Sequence, residues 1–382
     1  MVYLAAVTCL FWLFVLIDAF TGMRKMPKLE NIQENDHLLR EGPLVSVIVA
    51  AKDEETHIGE SLQSQFKQTY PHIEWLVVND RSEDRTGEII EELGKEEARM
   101  TPIHIEKLEE GWLGKNHALY KGYLEAKGEY LLFTDADVIY KPEALAKAVS
   151  YAVEHEVDHL TLAPDMNVKK YWASAFVSFF MFGFSYFKRP WKTNDDKSKH
   201  ALGIGAFNLL KREAYEDIGT HQKIRMRPDD DLMLGVHIKQ SGKKQRVGFA
   251  LSHLEVEWYS SLRAAISGLE KNTFAGLYYS YLMVLVSLSG IFISQLFPFI
   301  ALFVTEGMTL WLYSGAVILM FLVYLQTSFR RVRESVKHFA VFPVTTVLFM
   351  YTIIRAVTLT TVRGGITWRG TFYPLETLKN KK

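Results

Sequence analysis

At 382 residues the chain exceeds the usual size of one domain, and its 44 lysines and arginines balance its 44 aspartates and glutamates. That neutrality excludes the broad basic field of a nucleic-acid binder, so nucleic acid is not an expected partner. The apolar residues are unevenly placed, filling the first twenty positions and much of the last hundred around a charged middle, which is a membrane signature.

In chain order, "YLAAVTCLFWLFVLIDAF" (Tyr3 to Phe20) is long enough to cross a bilayer. It lacks a basic n-region and a small-x-small cleavage site, so a retained anchor is expected rather than a cleaved signal peptide. Arg24, Lys25 and Lys28 follow at once, and the positive-inside rule assigns that side to the cytoplasm. The single cysteine, Cys9, lies within the anchor, leaving no disulfide or thiolate metal site within the chain. The expected organisation is an anchor at 1–22, a basic juxtamembrane linker at 23–43, a cytosolic catalytic domain at 44–275, transmembrane segments at 276–363 and a basic tail at 364–382.

The middle opens with "PLVSVIVAAKDEE", an apolar β-branched run too short for a helix, read as a buried strand. Helical spacing follows from Thr56 through Gln68, and "IEWLVVNDRSEDRTGEIIEELG" supplies a second strand, a polar turn and a second helix. Strand and helix in alternation imply a parallel sheet, with ligands at the carboxyl ends of its strands. "AAKDEE", "VNDRSED" and "TDAD" fall at such ends. In "LLFTDADVIYKPEAL", Asp135 and Asp137 flank one alanine; in an extended chain they face the same way and repel unless a cation lies between them. Hard carboxylate oxygens suit Mg2+ or Mn2+. The competing reading is a turn or N-cap aspartate before "KPEAL".

"HEVDH" (His155 to His159) satisfies the zinc-protease pattern, which needs both histidines on one helix. The helical pattern from Pro142 ends near Glu156 and "VDHLTLAPD" reads as a strand, so a zinc protease is not expected. "YWASAFVSFFMFGFSYF" (Tyr171 to Phe187) is read either as a membrane-surface helix or as a buried core helix. "GIGAFNLLKR" (Gly203 to Arg212) lacks the spacing of a phosphate-binding loop. "RPDDDLMLG" crowds Asp229, Asp230 and Asp231 at a helix start; they cannot all ionise cheaply, so one should carry a raised pKa suited to a general base. A helix start enriched in acids accounts for one or two of them without any function.

Further spans are expected at Tyr279 to Val304, Met308 to Gln326 and Phe339 to Val362. "RRVRESVKH" (Arg330 to His338) is basic and hence cytoplasmic, but the tail is basic too and Arg355 sits inside the last span. One segment is therefore open to a re-entrant or interfacial reading, with Pro298 and Pro343 as break points.

The six stretches "VSVIVAAKDEE", "LVVNDRSEDRTGEII", "GWLGKNHALYKG", "YLLFTDADVIYKPEAL", "GIGAFNLLKREAYEDIG" and "RPDDDLMLG", in this order, resemble the family 2 glycosyltransferases. Among these the chain is most similar to membrane-bound bacterial members related to ceramide, carotenoid and hopanoid glycosyltransferases. The resemblance covers roughly Leu44 to Trp258 and implies an α/β GT-A fold, a Rossmann-like nucleotide-diphospho-sugar transferase domain with N-terminal and C-terminal transmembrane helices. It also implies a site. Asp53, where the family usually has Asn, and Asp80 would receive the uracil or ribose, and Lys115 would approach the base or diphosphate. Asp135 and Asp137 form the D-x-D, with Asp137 on Mg2+ or Mn2+ and Asp135 on the ribose or the metal shell. Asp230 and Asp231 map onto the family's Glu-Asp pair, with Asp231 deprotonating the acceptor hydroxyl. Gly205 would line the acceptor side. The Q/R-x-x-R-W signature is absent, leaving Trp258, Arg263 and Lys271 as loose candidates for acceptor or diphosphate contact.

The implied activity is inverting transfer of one sugar, from a nucleotide-sugar donor with UDP-sugar expected, to a membrane lipid acceptor at the lipid bilayer. The protein would then be a multi-pass cell-membrane enzyme with its catalytic domain facing the cytoplasm. A polysaccharide synthase of the same family and a non-catalytic membrane scaffold are the alternatives.

Overall fold

The computed structural model describes residues 1–327, 332–368 and 371–379. Two compact units emerge, one made of residues 26–167 and 190–257 and the other of 1–25, 168–189 and 258–382. The cuts differ from the expected 44–275 domain. Residues 26–43 go with the α/β unit, whereas 168–189 and 258–275 go with the apolar one, because their apolar side chains pack there.

The α/β unit is built on ten strands: β1 (Val45–Ala51), β2 (Ile73–Asp80), β3 (Met100–Ile105), β4 (Tyr130–Asp135), β5 (Ile139–Tyr140), β6 (His159–Ala163), β7 (Asp165–Met166), β8 (Asn208–Lys211), β9 (Gln245–Phe249) and β10 (Leu254–Val256). Seven form one sheet in the order β3-β2-β1-β4-β8-β6-β9. β1 to β4 run parallel, and β8 is antiparallel to both β4 and β6. β5, β10 and β7 make a small second sheet.

Period-two alternation sorts the strand residues onto two covered faces. Val45, Val47 and Val49 join Trp75, Val77, Leu132 and Leu62 on one side. Ile48, Leu76, Leu131 and Phe133 join Leu119, Leu234 and Ile238 on the other. Each fully buried Val or Ile contributes roughly 1.5–3 kcal/mol relative to exposure. Leu119 belongs to the helix Gly114–Glu125 and Leu234 to the helix Asp230–Gln240. Both helices therefore rest on one face of the sheet, and the first turn of each supplies residues to a cleft beside the end of β4. From β1 the sheet grows to β2 and β3 on one side and to β4 on the other, so the strand order reverses between β1 and β4, where α/β sheets bind ligands.

Among the described residues, the apolar unit has four helices long and apolar enough to cross a membrane: Val2–Met23, Tyr281–Val304, Gly307–Thr327 and Phe342–Arg363. Their places agree with the expected spans to within a few residues. Pro298 follows a π-helical turn, Phe292–Leu296, inside the second span. Pro343 instead sits in the first turn of the last span, where its missing N–H removes no helical bond, so it marks a start and not a break. Two charges within the spans are paired: Asp18 with Arg189 at 2.7 Å, and Arg355 with Glu270. The helix Tyr171–Lys188 buries Phe176, Phe179 and Phe182, the last two against Trp12, Tyr324 and Phe342, while Tyr171, Trp172 and Phe187 stay exposed. Its aromatic run is thus largely a packing stripe. Arg330 and Arg331 of the basic loop, and Arg369 of the tail, lie outside the described residues.

Candidate active site

Five residues singled out in the sequence meet at the carboxyl end of β4. An open cleft there is lined by Lys115, Asp135, Gly205, Asp230 and Asp231, with Thr134, Asn208, His221 and apolar side chains forming the rest. Lys115, in the first turn of its helix, places Nζ 2.7 Å from Asp135 Oδ1 and 3.6 Å from Asp230 Oδ2. Burial works against its charge, but Asp135, Asp230 and Asp231 more than offset that and hold the ammonium above its ordinary value. Lys115, expected at the base or diphosphate, therefore joins Asp135 at the end of β4 to Asp230 at the start of the helix Asp230–Gln240.

Gly205 supplies the other link. Its N–H donates to Asp231 Oδ2 at 2.9 Å, and its carbonyl accepts from the Asp135 N–H at 3.1 Å. A Cβ at this position would stand 2.7 Å from Asp135 Oδ2 and would push that carboxylate aside. Asp231 Oδ1 accepts a second backbone bond, from Leu232 N–H at 2.8 Å. Burial, then Asp230 with Asp135, pushes Asp231 up to about 7 against the pull of Lys115. Of the three crowded aspartates, Asp229 is structural: Arg227 grips it with two bonds of 2.9 and 2.8 Å.

β4 ends at Asp135, and Ala136 and Asp137 form the turn that follows, so the D-x-D is extended only at its first residue. Burial, then Asp135 and Glu54, pushes Asp137 up to about 6. Among the described residues no group of three or more His, Cys, Asp or Glu could hold a metal ion by itself. Two carboxylates one residue apart suit an ion that keeps its waters and takes further oxygens from a substrate phosphate, which is how Mg2+ and Mn2+ bind. Asp135 and Asp137 fit that role.

Asp80 and Asp53 lie at the ends of β2 and β1. Asp80 is buried and held by Arg81 in a fork, Nε to Oδ1 at 2.8 Å and Nη2 to Oδ2 at 3.0 Å. Asp53 and Arg81 both adopt left-handed backbone conformations, φ 55° at each, which side chains other than glycine rarely take. Cross-bonds secure both turns: Asp53 N–H donates to Ser82 Oγ, Glu83 N–H to Asp53 Oδ1, and Lys52 Nζ to the Arg81 carbonyl. Gly114 lets the lysine helix approach Asp80, since a Cβ there would meet Asp80 Oδ2 at 2.4 Å.

Trp258 and Arg263 belong to the apolar unit; Trp258 packs on Phe180 and Tyr259, and Arg263 is exposed on the helix Leu262–Gly276. The Lys271 side chain lies outside the described residues. Sequence reasoning missed three residues of the neighbourhood. Arg81 and Arg227 were signalled by standing one and two positions before or after an aspartate already chosen. His221 carried no signal; it lies against Phe133 and bonds Tyr215 Oη at 2.6 Å, and burial, then Lys115, lowers it to about 3, so it is neutral.

The zinc-protease pattern dissolves. Its helix ends at Glu154, Glu156 turns with φ 50°, and His159 is buried in β6 between Asn208 and Gln245. The two histidines share no helix face.

Residues 46–219 match the family model described as Glycosyl transferase family 2. The chain carries a family 2 glycosyltransferase domain. An uncharacterized glycosyltransferase of Haemophilus influenzae is 39% identical over 119 residues, 31% of this chain and 35% of that protein. The 4,4'-diaponeurosporenoate glycosyltransferase of Staphylococcus aureus is 26% identical over 193 residues, 50% of each chain. The chain thus spans half or less of the length of these curated relatives. The mannosyltransferase PcManGT from Pyrobaculum calidifontis, solved with GDP-Man and Mn2+, superposes with a TM-score of 0.54 at 16% identity, over 94% of this chain and 98% of that one. That likeness is one of fold, a mixed α/β GT-A-like architecture.

Proposed function

We propose that this family 2 glycosyltransferase moves one sugar from a nucleotide-sugar to a hydroxyl of a membrane lipid, with inversion, from the cytoplasmic face of the membrane. The observation that carries the reading is the convergence of Asp135, Asp230 and Asp231 on Lys115 at the switch point, in a chain with four membrane-length helices. The carotenoid-type name of the Staphylococcus aureus relative supports a lipid acceptor. Arg24, Lys25 and Lys28 beside the first span support the cytoplasmic orientation. UDP-sugar is the expected donor, and the GDP-Man of the fold neighbour makes GDP-sugars the second donor to test.

Asp80, held in plane by the Arg81 fork, keeps further lone pairs to receive the nucleoside. Asp135 and Asp137 would hold Mg2+ or Mn2+, which supplies positive charge beside the donor diphosphate; the Mn2+ of the fold neighbour is consistent with this. Asp231, with both oxygens oriented by backbone N–H groups, takes the proton from the acceptor hydroxyl. The acceptor oxygen bonds the anomeric carbon as the bond from that carbon to the diphosphate oxygen breaks. Attack from the face opposite the leaving group inverts the centre, and the nucleoside diphosphate departs with the bonding pair.

The test is release of nucleoside diphosphate by the full chain in detergent with total membrane lipid, with and without Mn2+ or Mg2+. Release only with metal and lipid, abolished by Asp137→Ala and by Asp231→Asn, is expected. Release by either variant at the wild-type rate would sink the assignment.

A further inference from the structure

Lys115 carries the only positive charge among the residues lining the cleft, facing the carboxylates of Asp135, Asp230 and Asp231. Its ammonium is in hydrogen-bond contact with one of the two carboxylates fitted to a divalent ion. We propose that Lys115 is a built-in counter-cation that competes with the divalent ion for Asp135, so that the ion binds tightly only when a nucleoside diphosphate arrives with it. The inference rests on the metal-assisted reading above and adds to it an order of events.

The backbone around Lys115 is fixed by bonds to a neighbouring segment. Leu113 N–H donates to the Arg225 carbonyl at 2.8 Å, and Asn116 Nδ2 donates to the carbonyls of Ile224 at 2.8 Å and Arg227 at 2.9 Å. Those bonds pin the start of the lysine helix to the segment that leads into Asp229–Asp231. Lysine ends in a compact charge on a flexible four-carbon stem, so it can leave one anion for another without moving the helix. With the ammonium on Asp135, an arriving ion meets a carboxylate already neutralised. A diphosphate offers the ammonium a second anion and gives the ion further oxygen ligands, so ion and nucleotide favour each other's binding, reciprocally. When the bond to the sugar breaks, the same ammonium is placed to balance charge on the departing diphosphate.

The experiment measures free Mn2+ by electron paramagnetic resonance during titration of the full chain in detergent, with no nucleotide, with UDP and with GDP. Wild type should bind Mn2+ weakly alone and at least about tenfold tighter with one of the nucleotides, an ordinary size for such coupling. Lys115→Met should bind Mn2+ roughly tenfold tighter than wild type without nucleotide and gain less from adding it. Adding Asp137→Ala to that variant should remove the tight site. If Lys115→Met fails to fold by circular dichroism, Lys115→Gln takes its place with the same expectation. Wild-type coupling between Mn2+ and nucleotide with unchanged or weaker Mn2+ binding in the variant overturns this inference alone. No Mn2+-dependent nucleotide binding in wild type overturns the metal-assisted reading and this inference together.

Discussion

Replacing Gly205 by alanine adds one carbon where the structure has no room for it. The new Cβ would lie 2.7 Å from Asp135 Oδ2 and 3.3 Å from its Cγ, whereas ordinary contact begins at 3.4 Å. Gly205 does not need the left-handed backbone region, so the substitution tests that contact and not backbone strain. The Asp135 carboxylate must retreat by roughly 0.7 Å, and since a misplacement of about 1 Å costs on the order of 100-fold, kcat should fall roughly 10- to 100-fold. Asp135 is partly exposed and can rotate away, so the stability loss should sit at the low end of overpacking, about 1 kcal/mol. Turnover at saturating donor and lipid gives the first number and thermal unfolding the second. A folded Gly205→Ala protein with wild-type kcat would refute the claim that this glycine holds Asp135 and Asp231 in working register.

Because burial and its acidic neighbours push Asp231 up to about 7, and a general base must be ionised, kcat/KM should rise as pH passes through about 7. The same raised group favours its neutral form in the fold, so its contribution to stability is lost as pH rises through about 7, and Asp231→Asn should gain in melting temperature relative to wild type at pH 8 more than at pH 5. Glu156→Gln should leave turnover unchanged, with no stoichiometric zinc on elemental analysis, because the HEVDH histidines lie on different elements. Lys199→Cys, at an exposed position of the α/β unit, in a Cys9→Ser background should react with a membrane-impermeant maleimide only after cells are opened; labelling of intact cells would reverse the orientation.

Much of the catalytic unit was legible because strand pattern and chemistry coincide there. β1, β2 and β4 announce themselves as apolar runs, and each runs into an acidic turn, so Asp53, Asp80 and the Asp135–Asp137 pair could be placed at strand ends before any coordinates. The helix start at Asp230 was equally readable. Contacts across long separations were not. Lys115 meets Asp135 and Asp230 only because two helices share one face of the sheet, and no local spacing encodes that. Gly205 was assigned to the acceptor side, since a glycine-rich turn says that something comes close without saying what; the close neighbour is Asp135. The aromatic helix Tyr171–Lys188 was undecidable because an apolar stripe packs equally well against lipid or protein, and here most of it packs against protein.

Every role assigned to these side chains serves sugar transfer to a lipid. Its most direct test is to incubate the full chain with a donor labelled in the sugar, total membrane lipid and Mn2+, then count label in the organic extract. Label should enter the lipid fraction with wild type and not with Asp231→Asn. Label that stays wholly in the aqueous phase with every common UDP- and GDP-sugar, while the protein remains folded, would rule out a lipid acceptor.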